Sequence, residues 1–231
     1  MADDLLTRPF ALVVALAIVA LLPFVFMSVT AFVKISTVLQ IVRSAIGAQS
    51  VPSNTVVLAL AAALTLLAMS PVASRIAARA APLVSSGLDR SAVDSGHAKD
   101  PAALVAEGIN AVREPMRDFL GANASAREKA RFLAVAQNAA PAADRPQLTD
   151  HDLPVLVPAF VVTELGEAFA VGFLLFLPFL LLDLVVANIL LGLGMQMLSP
   201  TQVSLPFKLL LFVAIDGWGL LSQALVAGYH P

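Results

Sequence analysis

Residues 177–218 read LPFLLLDLVVANILLGLGMQMLSPTQVSLPFKLLLFVAIDGW. Two apolar runs carrying Asp183, Lys208 and Asp216 flank the tight sequence Gly194-Met195-Gln196-Met197-Leu198-Ser199-Pro200. Each run could be buried in a bilayer, yet an ionisable group at the centre of a hydrocarbon layer costs roughly 2.5–3.5 kcal/mol on insertion scales. Such residues face protein or water, so this stretch predicts helices surrounded by copies or partners rather than a lipid-facing bundle.

Composition agrees with that reading. The chain has 231 residues, 59% of them hydrophobic, and a mean hydropathy of +0.88. That is more apolar surface than one soluble domain of this length can bury, which points to a membrane or membrane-complex protein. Cysteine is absent, which excludes disulfide frameworks, thiolate metal sites and thiol nucleophiles. His97, His151 and His230 lie far apart in sequence and read as solvated loop residues, so no metal or other cofactor is expected. A net charge of -2 without a dense Lys/Arg cluster argues against a nucleic-acid partner.

Outward from the charged hairpin, the periodicity predicts an all-α chain in three parts. The first, residues 1–71, holds apolar helices. Pro9 to Val29 is about the twenty residues that cross a hydrocarbon core; Asp3 and Asp4 make a poor basic leader for a signal peptide, so a retained segment is expected. Ala31 to Gly47 is amphipathic, with Lys34 and Arg43 nine residues apart and therefore on opposite sides of a helix. Each cation is expected to meet a carboxylate. Ser53 or Asn54 caps a further helix to Met69, where Ser70-Pro71 is expected to stop it.

Residues 72–152 form the second part, a water-exposed helical insert and linker with ten Lys/Arg and ten Asp/Glu. Pro101 to Leu120 predicts a helix interrupted near Pro115. Ser125-Ala126-Arg127-Glu128 is a capping box opening a helix to about Gln137. The third part, residues 153–231, returns to apolar helices: Leu153 to Leu177, Pro178 to Leu198 with Pro178 breaking or kinking one long helix, and Leu205 to Tyr229. Glu164 and Glu167 share a helical face.

The charges in the apolar segments are three cations (Lys34, Arg43, Lys208) and four anions (Glu164, Glu167, Asp183, Asp216). A nearly matched set suggests ion pairs that fix how helices or subunits dock, because one mispaired buried charge costs about 3–5 kcal/mol. The rival reading is an ion-coupled carrier that loads protons on these carboxylates; the absence of an internal repeat weighs against it. Met195 and Met197 beside Gly194 lie on a turn between helices. Around an axis, a ring of such flexible side chains could close a pore and still deform around a passing polypeptide. No nucleophile–base set, phosphate loop or dinucleotide turn is present, so no catalytic residue is expected and the chain does not read as an enzyme.

Several runs resemble the FliP/SctR export-gate family. They include Thr30-Ala31-Phe32-Val33-Lys34-Ile35, Arg43-Ser44-Ala45-Ile46-Gly47, Val51-Pro52-Ser53-Asn54 and Met69-Ser70-Pro71 in the first half. Val157-Pro158-Ala159-Phe160-Val161-Val162-Thr163-Glu164-Leu165, Asp183-Leu184-Val185, Ser204-Leu205-Pro206-Phe207-Lys208 and Asp216-Gly217-Trp218 follow in order in the second. The resemblance implies a core subunit of a bacterial type III secretion export apparatus, closer to the injectisome than to the flagellar branch. It implies helical hairpins packed into a multi-subunit cone at the inner membrane, part of it projecting toward the periplasm. About five copies would assemble with small membrane partners of the SctS/FliQ and SctT/FliR types, beside SctU/FlhB-like and SctV/FlhA-like components, and unfolded protein substrates would pass through the centre. By the same resemblance, Met195, Gln196 and Met197 occupy the loop that constricts the pore, and Arg43, Glu164, Asp183 and Lys208 occupy charged pairing positions. The family loop commonly has consecutive methionines. Gln196 departs from that pattern and implies either a side chain turned from the lumen or a looser seal.

Overall fold

The computed structural model describes residues 13, 16–17, 19–21, 23–47, 52–88, 101–139, 148–195 and 197–230, and no strand occurs among them. Helix α1 (Phe32–Ile46), α2 (Asn54–Ala68), α3 (Ser70–Leu88), α4 (Pro101–Asn123), α5 (Ala126–Ala139), α6 (Leu153–Gly192), α7 (Pro200–Ala214) and α8 (Gly217–Ala227) follow in order. Part of the expected first span, Pro9 to Val29, lies outside the described residues.

The 40-residue α6 is the axis of the fold, roughly 60 Å long at 1.5 Å per residue. Its first turns are the buried end, where Leu156, Ala159 and Phe160 join one core with the apolar face of α1 formed by Ile35, Val38, Leu39 and Val42. Gly172 lets α1 approach closely, since a Cβ there would lie 2.5 Å from Ile41 Cδ1. Toward its far end α6 emerges: only 11% of its most apolar 18-residue stretch is buried. Helix α6 is long and apolar enough to cross a membrane by itself, and it runs on through Pro158 and Pro178. Each proline removes one N–H from the ladder without ending the helix, so of the expected break or kink at Pro178 the break is absent, and one long helix runs through it.

Three bent helix pairs also have the length and composition of spans. Ser53 caps α2 by accepting the Val56 N–H at 3.4 Å, and α2 ends at Ala68. The expected stop before Ser70-Pro71 is present, and a second helix, α3, begins there at a bend of 54°. Pro71 has no N–H to offer the Leu67 carbonyl, and the Ser70 hydroxyl donates to it instead at 2.8 Å. At the other end of the chain, the single helix expected from Leu205 to Tyr229 is two. Helix α7 starts earlier, with Pro200 opening it, and a bend of 58° separates it from α8 at Asp216. Asp216 sits in the left-handed region at φ 51°, which an α-helix cannot pass through.

The polar helices attach to this frame. Helix α4 runs through Pro115 uninterrupted to Asn123 and packs on α3 and α6, burying Phe119 and Leu120 in the core. The Phe119 ring lies 5.6 Å from Phe160 and 6.0 Å from Tyr229. Helix α5 lies along α6. Its capping box is only half formed: Ser125 Oγ accepts the Glu128 N–H at 3.3 Å. The Ser125 N–H goes to Thr163 Oγ1 on α6 at 3.1 Å, and Glu128 pairs with Arg131 at 3.0 Å. A tertiary contact has replaced the local return bond.

Candidate functional site

Two charge clusters and one turn make up the site, and all three depend on α6. The first cluster gathers around Lys34 on α1. Its Nζ lies 3.1 Å from Glu164 Oε1 and 2.7 Å from Glu167 Oε2. One helical turn separates the two carboxylates, so a single ammonium reaches both. Glu164 is 0% exposed and also accepts a short hydrogen bond from the Tyr229 hydroxyl, which reaches the Ala31 carbonyl at 3.2 Å. The Tyr229 ring covers the Lys34 ammonium at 4.4 Å from its centroid, a cation–π contact that adds to the ion pairs. Beside them lies a polar cavity of about 240 Å³ lined in part by Asn123, Ser125 and His230. Asn123 clamps the chain end there, its Nδ2 donating to the His230 carbonyl at 2.8 Å and its Oδ1 accepting the His230 N–H at 3.0 Å.

The second cluster joins three helices. Lys208 on α7 is buried, with Nζ 2.6 Å from Asp183 Oδ2 on α6 and 3.2 Å from the carbonyl of Ala45. That carbonyl belongs to the last turn of α1, where backbone acceptors lack intrahelical donors and the helix dipole favours a cation. Ser204, one turn before Lys208, donates a short hydrogen bond to Asp183 Oδ1. Both carboxylate oxygens are therefore occupied. Arg43 sits in the same last turn of α1, half-buried. Asp216 stands apart: exposed, at the start of α8, with no side-chain hydrogen bond or ion pair among the described residues.

The turn joins α6 to α7. Helix α6 ends at Gly192, and the backbone closes it in a Schellman arrangement: the Gly194 N–H reaches Leu191 O at 3.0 Å and the Met195 N–H reaches Leu190 O at 2.9 Å. Gly194 takes φ 72°, which a side chain would oppose. The helix expected to run to Leu198 thus ends at Gly192, and Pro200 sits in the first turn of α7 behind Ser199. Within this turn Met195 is 45% exposed and Met197 99% exposed. Gln196 lies outside the described residues.

Sequence reading missed Tyr229, Ser204 and the Asn123–His230 clamp. Ser204 had a signal, since its spacing of four from Lys208 puts both on one face. Tyr229 and Asn123 act across 65 and 107 positions respectively, and no local pattern marks them.

With this geometry in view, the likeness to known proteins covers nearly the whole chain. Residues 15–225 match the FliP family. The hypersensitivity response secretion protein HrcR of Ralstonia nicotianae is 42% identical over 222 residues, covering 96% of this chain and 98% of that protein. Yop proteins translocation protein R of Yersinia pestis is 37% identical over 218 residues, 94% of this chain and 95% of that one. The flagellar biosynthetic protein FliP of Bacillus subtilis is 36% identical over 220 residues, 94% and 90%. Similarity of this extent, spanning both charge clusters and the turn between α6 and α7, places the chain in the FliP family.

Proposed function

We propose that this protein is a core subunit of a bacterial type III secretion export gate, forming with copies of itself and small membrane subunits the conduit through which unfolded proteins leave the cytoplasm. The observation that carries the reading is the α6–α7 hairpin. Its apolar flanks are exposed over most of their length, its tip presents Met197 to the surroundings, and its own charges are neutralised by Lys208 and Asp183. A hairpin of this kind needs other protein or lipid around it. Its relatives are named for secretion, translocation and flagellar biosynthesis.

In this reading the chain resides in the bacterial inner membrane and has no enzymatic activity. About five copies join subunits of the SctS/FliQ and SctT/FliR types next to SctU/FlhB-like and SctV/FlhA-like components. The internal ion pairs of α1, α6 and α7 fix the shape of each protomer, and the Met195–Met197 turns gather around the axis as a deformable closure. Three of the four carboxylates that a proton carrier would need, Glu164, Glu167 and Asp183, are instead held by Lys34 and Lys208.

Native mass spectrometry of gently extracted protein tests the proposal. A stable assembly of several copies with small export-apparatus subunits is the expected result. A monomer or dimer that binds a small solute would sink it.

A further inference from the structure

Among the described residues, the lysines of the apolar helices are neutralised from within. Lys34 meets Glu164 and Glu167, Lys208 meets Asp183, and Arg43 is engaged as well. Asp216 has no such partner among the described residues, and its carboxylate is exposed.

Its surroundings are apolar. Val213, Ile215 and Leu220 are exposed beside it. Ile215 and Gly217 line a cavity of about 440 Å³ with Pro178, Phe179 and Phe212, and no charged or polar side chain contributes to that lining. Pro178 lies fourteen residues before the end of α6 at Gly192, roughly 21 Å along the helix. Asp216 lies at the bend between α7 and α8, a helix pair that together has the length and composition of a membrane span. An ionised carboxylate facing lipid there is unfavourable.

The backbone at the bend also makes room for the carboxylate. Asp216 adopts φ 51° and ψ 49°, a conformation that Asp tolerates better than most residues. A Cβ on Gly219 would lie 2.4 Å from Asp216 Oδ2, and one on Gly217 would lie 2.3 Å from the Phe212 ring. The two glycines leave room for the acid and for the ring that walls the cavity.

The geometry points to a docking site for an apolar helix of a different membrane subunit, seated over the cavity between α6, α7 and α8 with a single Lys or Arg paired to Asp216. A long cationic side chain suits the site because its aliphatic stem can cross apolar surface while its head reaches the acid. A second copy of this chain is the poorer fit. The cations of its own apolar helices are already engaged, with Lys34 and Lys208 buried. This assignment rests on the reading of the chain as a subunit of a membrane assembly.

The test uses the complete chain in cells that make the whole export apparatus, with the photo-crosslinker p-benzoylphenylalanine at Leu220. The expected product joins this chain to a different membrane polypeptide, and peptide mapping places the link on an apolar helix carrying Lys or Arg. Asp216→Asn and Asp216→Gly, both compatible with the left-handed backbone, should each lower crosslinking and partner recovery at least tenfold, while the extracted protomer keeps its protease resistance. Asp216→Lys should abolish recovery, and an Asp at the mapped cation should restore it. A crosslink to a second copy only, a crosslink to lipid only, or undiminished recovery with both Asp216→Asn and Asp216→Gly overturns the assignment. If instead the unaltered chain recovers no apparatus subunit at all, the reading of the chain as an export-gate subunit fails.

Discussion

Lys208 and Asp183, 25 residues apart in sequence, meet at 2.6 Å across the hairpin of α6 and α7. The same ammonium reaches the Ala45 carbonyl at the end of α1. One buried charge therefore sets the relative position of three helices.

Removing Asp183 strands the buried Lys208 ammonium, at a cost of about 3–5 kcal/mol, and removing Lys208 leaves a half-buried carboxylate without its cation, at a smaller cost. Asp183→Ala and Lys208→Ala should each lower the yield of folded protomer as well as of complex, measured by size-exclusion chromatography of extracted protein. The Asp183→Lys/Lys208→Asp exchange should recover part of the loss. Normal yield of both single variants would count against the pair as a structural determinant.

Tyr229→Phe keeps the ring against Phe119 and over Lys34 but removes the hydroxyl that donates to Glu164 beside the Ala31 carbonyl. A hydrogen bond to a charged group contributes about 1.5–3 kcal/mol, so a lower melting temperature is expected. Tyr229→Ala should be worse, because it also leaves a cavity beside Phe119. Equal melting of Tyr229→Phe and the unaltered chain would show that the hydroxyl contributes nothing.

Gly172 is set by packing at the α1–α6 crossing. Gly172→Ala forces a methyl within 2.5 Å of Ile41 Cδ1, and overpacking of this kind costs about 1–3 kcal/mol. Ile41→Ala should relieve the clash, so the double variant should melt above Gly172→Ala alone. A Gly172→Ala variant as stable as the unaltered chain would show that the crossing is loose.

The Met195–Met197 turn offers a separate readout. Met197 is almost fully exposed within the chain, so truncating it should leave the protomer intact. Met195→Ala/Met197→Ala is expected to raise ion leak across membranes bearing the complex, with assembly unchanged by native mass spectrometry. Unaltered conductance would remove the sealing role.

At the start of α6, Asp152 Oδ2 accepts the Thr149 backbone N–H at 2.8 Å and the Thr149 hydroxyl at 3.0 Å. The backbone N–H chiefly holds its carboxyl below the usual value of 3.8, against some opposing desolvation. A depressed folded value stabilises the turn above the unfolded pKa, and that contribution fades as pH falls through the folded value. Amide exchange at Val155 and Leu156, whose N–H groups reach the Asp152 carbonyl, should therefore quicken below about pH 4. Asp152→Asn should flatten the pH response; an identical response in that variant would assign it to another group.

By itself, the sequence determined the all-helical class, the membrane character and the family, because these rest on composition, the 3.6-residue period and local chemistry. Glu164 and Glu167 could be placed on one face, Ser53 or Asn54 at a cap and Gly194 at a turn, since each depends only on neighbours within one helical turn. The prolines could not be read the same way. Pro71 and Pro200 open helices and Pro158, Pro178 and Pro115 lie within them, because the surrounding chain decides whether a missing N–H ends a ladder. Tertiary structure alone decided which cation meets which acid, for Lys34 and Glu164 lie 130 positions apart and only the α1–α6 packing brings them together. It also separated Asp216 from the other three acids. All four are carboxylates in apolar sequence, but Asp216, at the left-handed bend between α7 and α8, is the one left without a cation among the described residues.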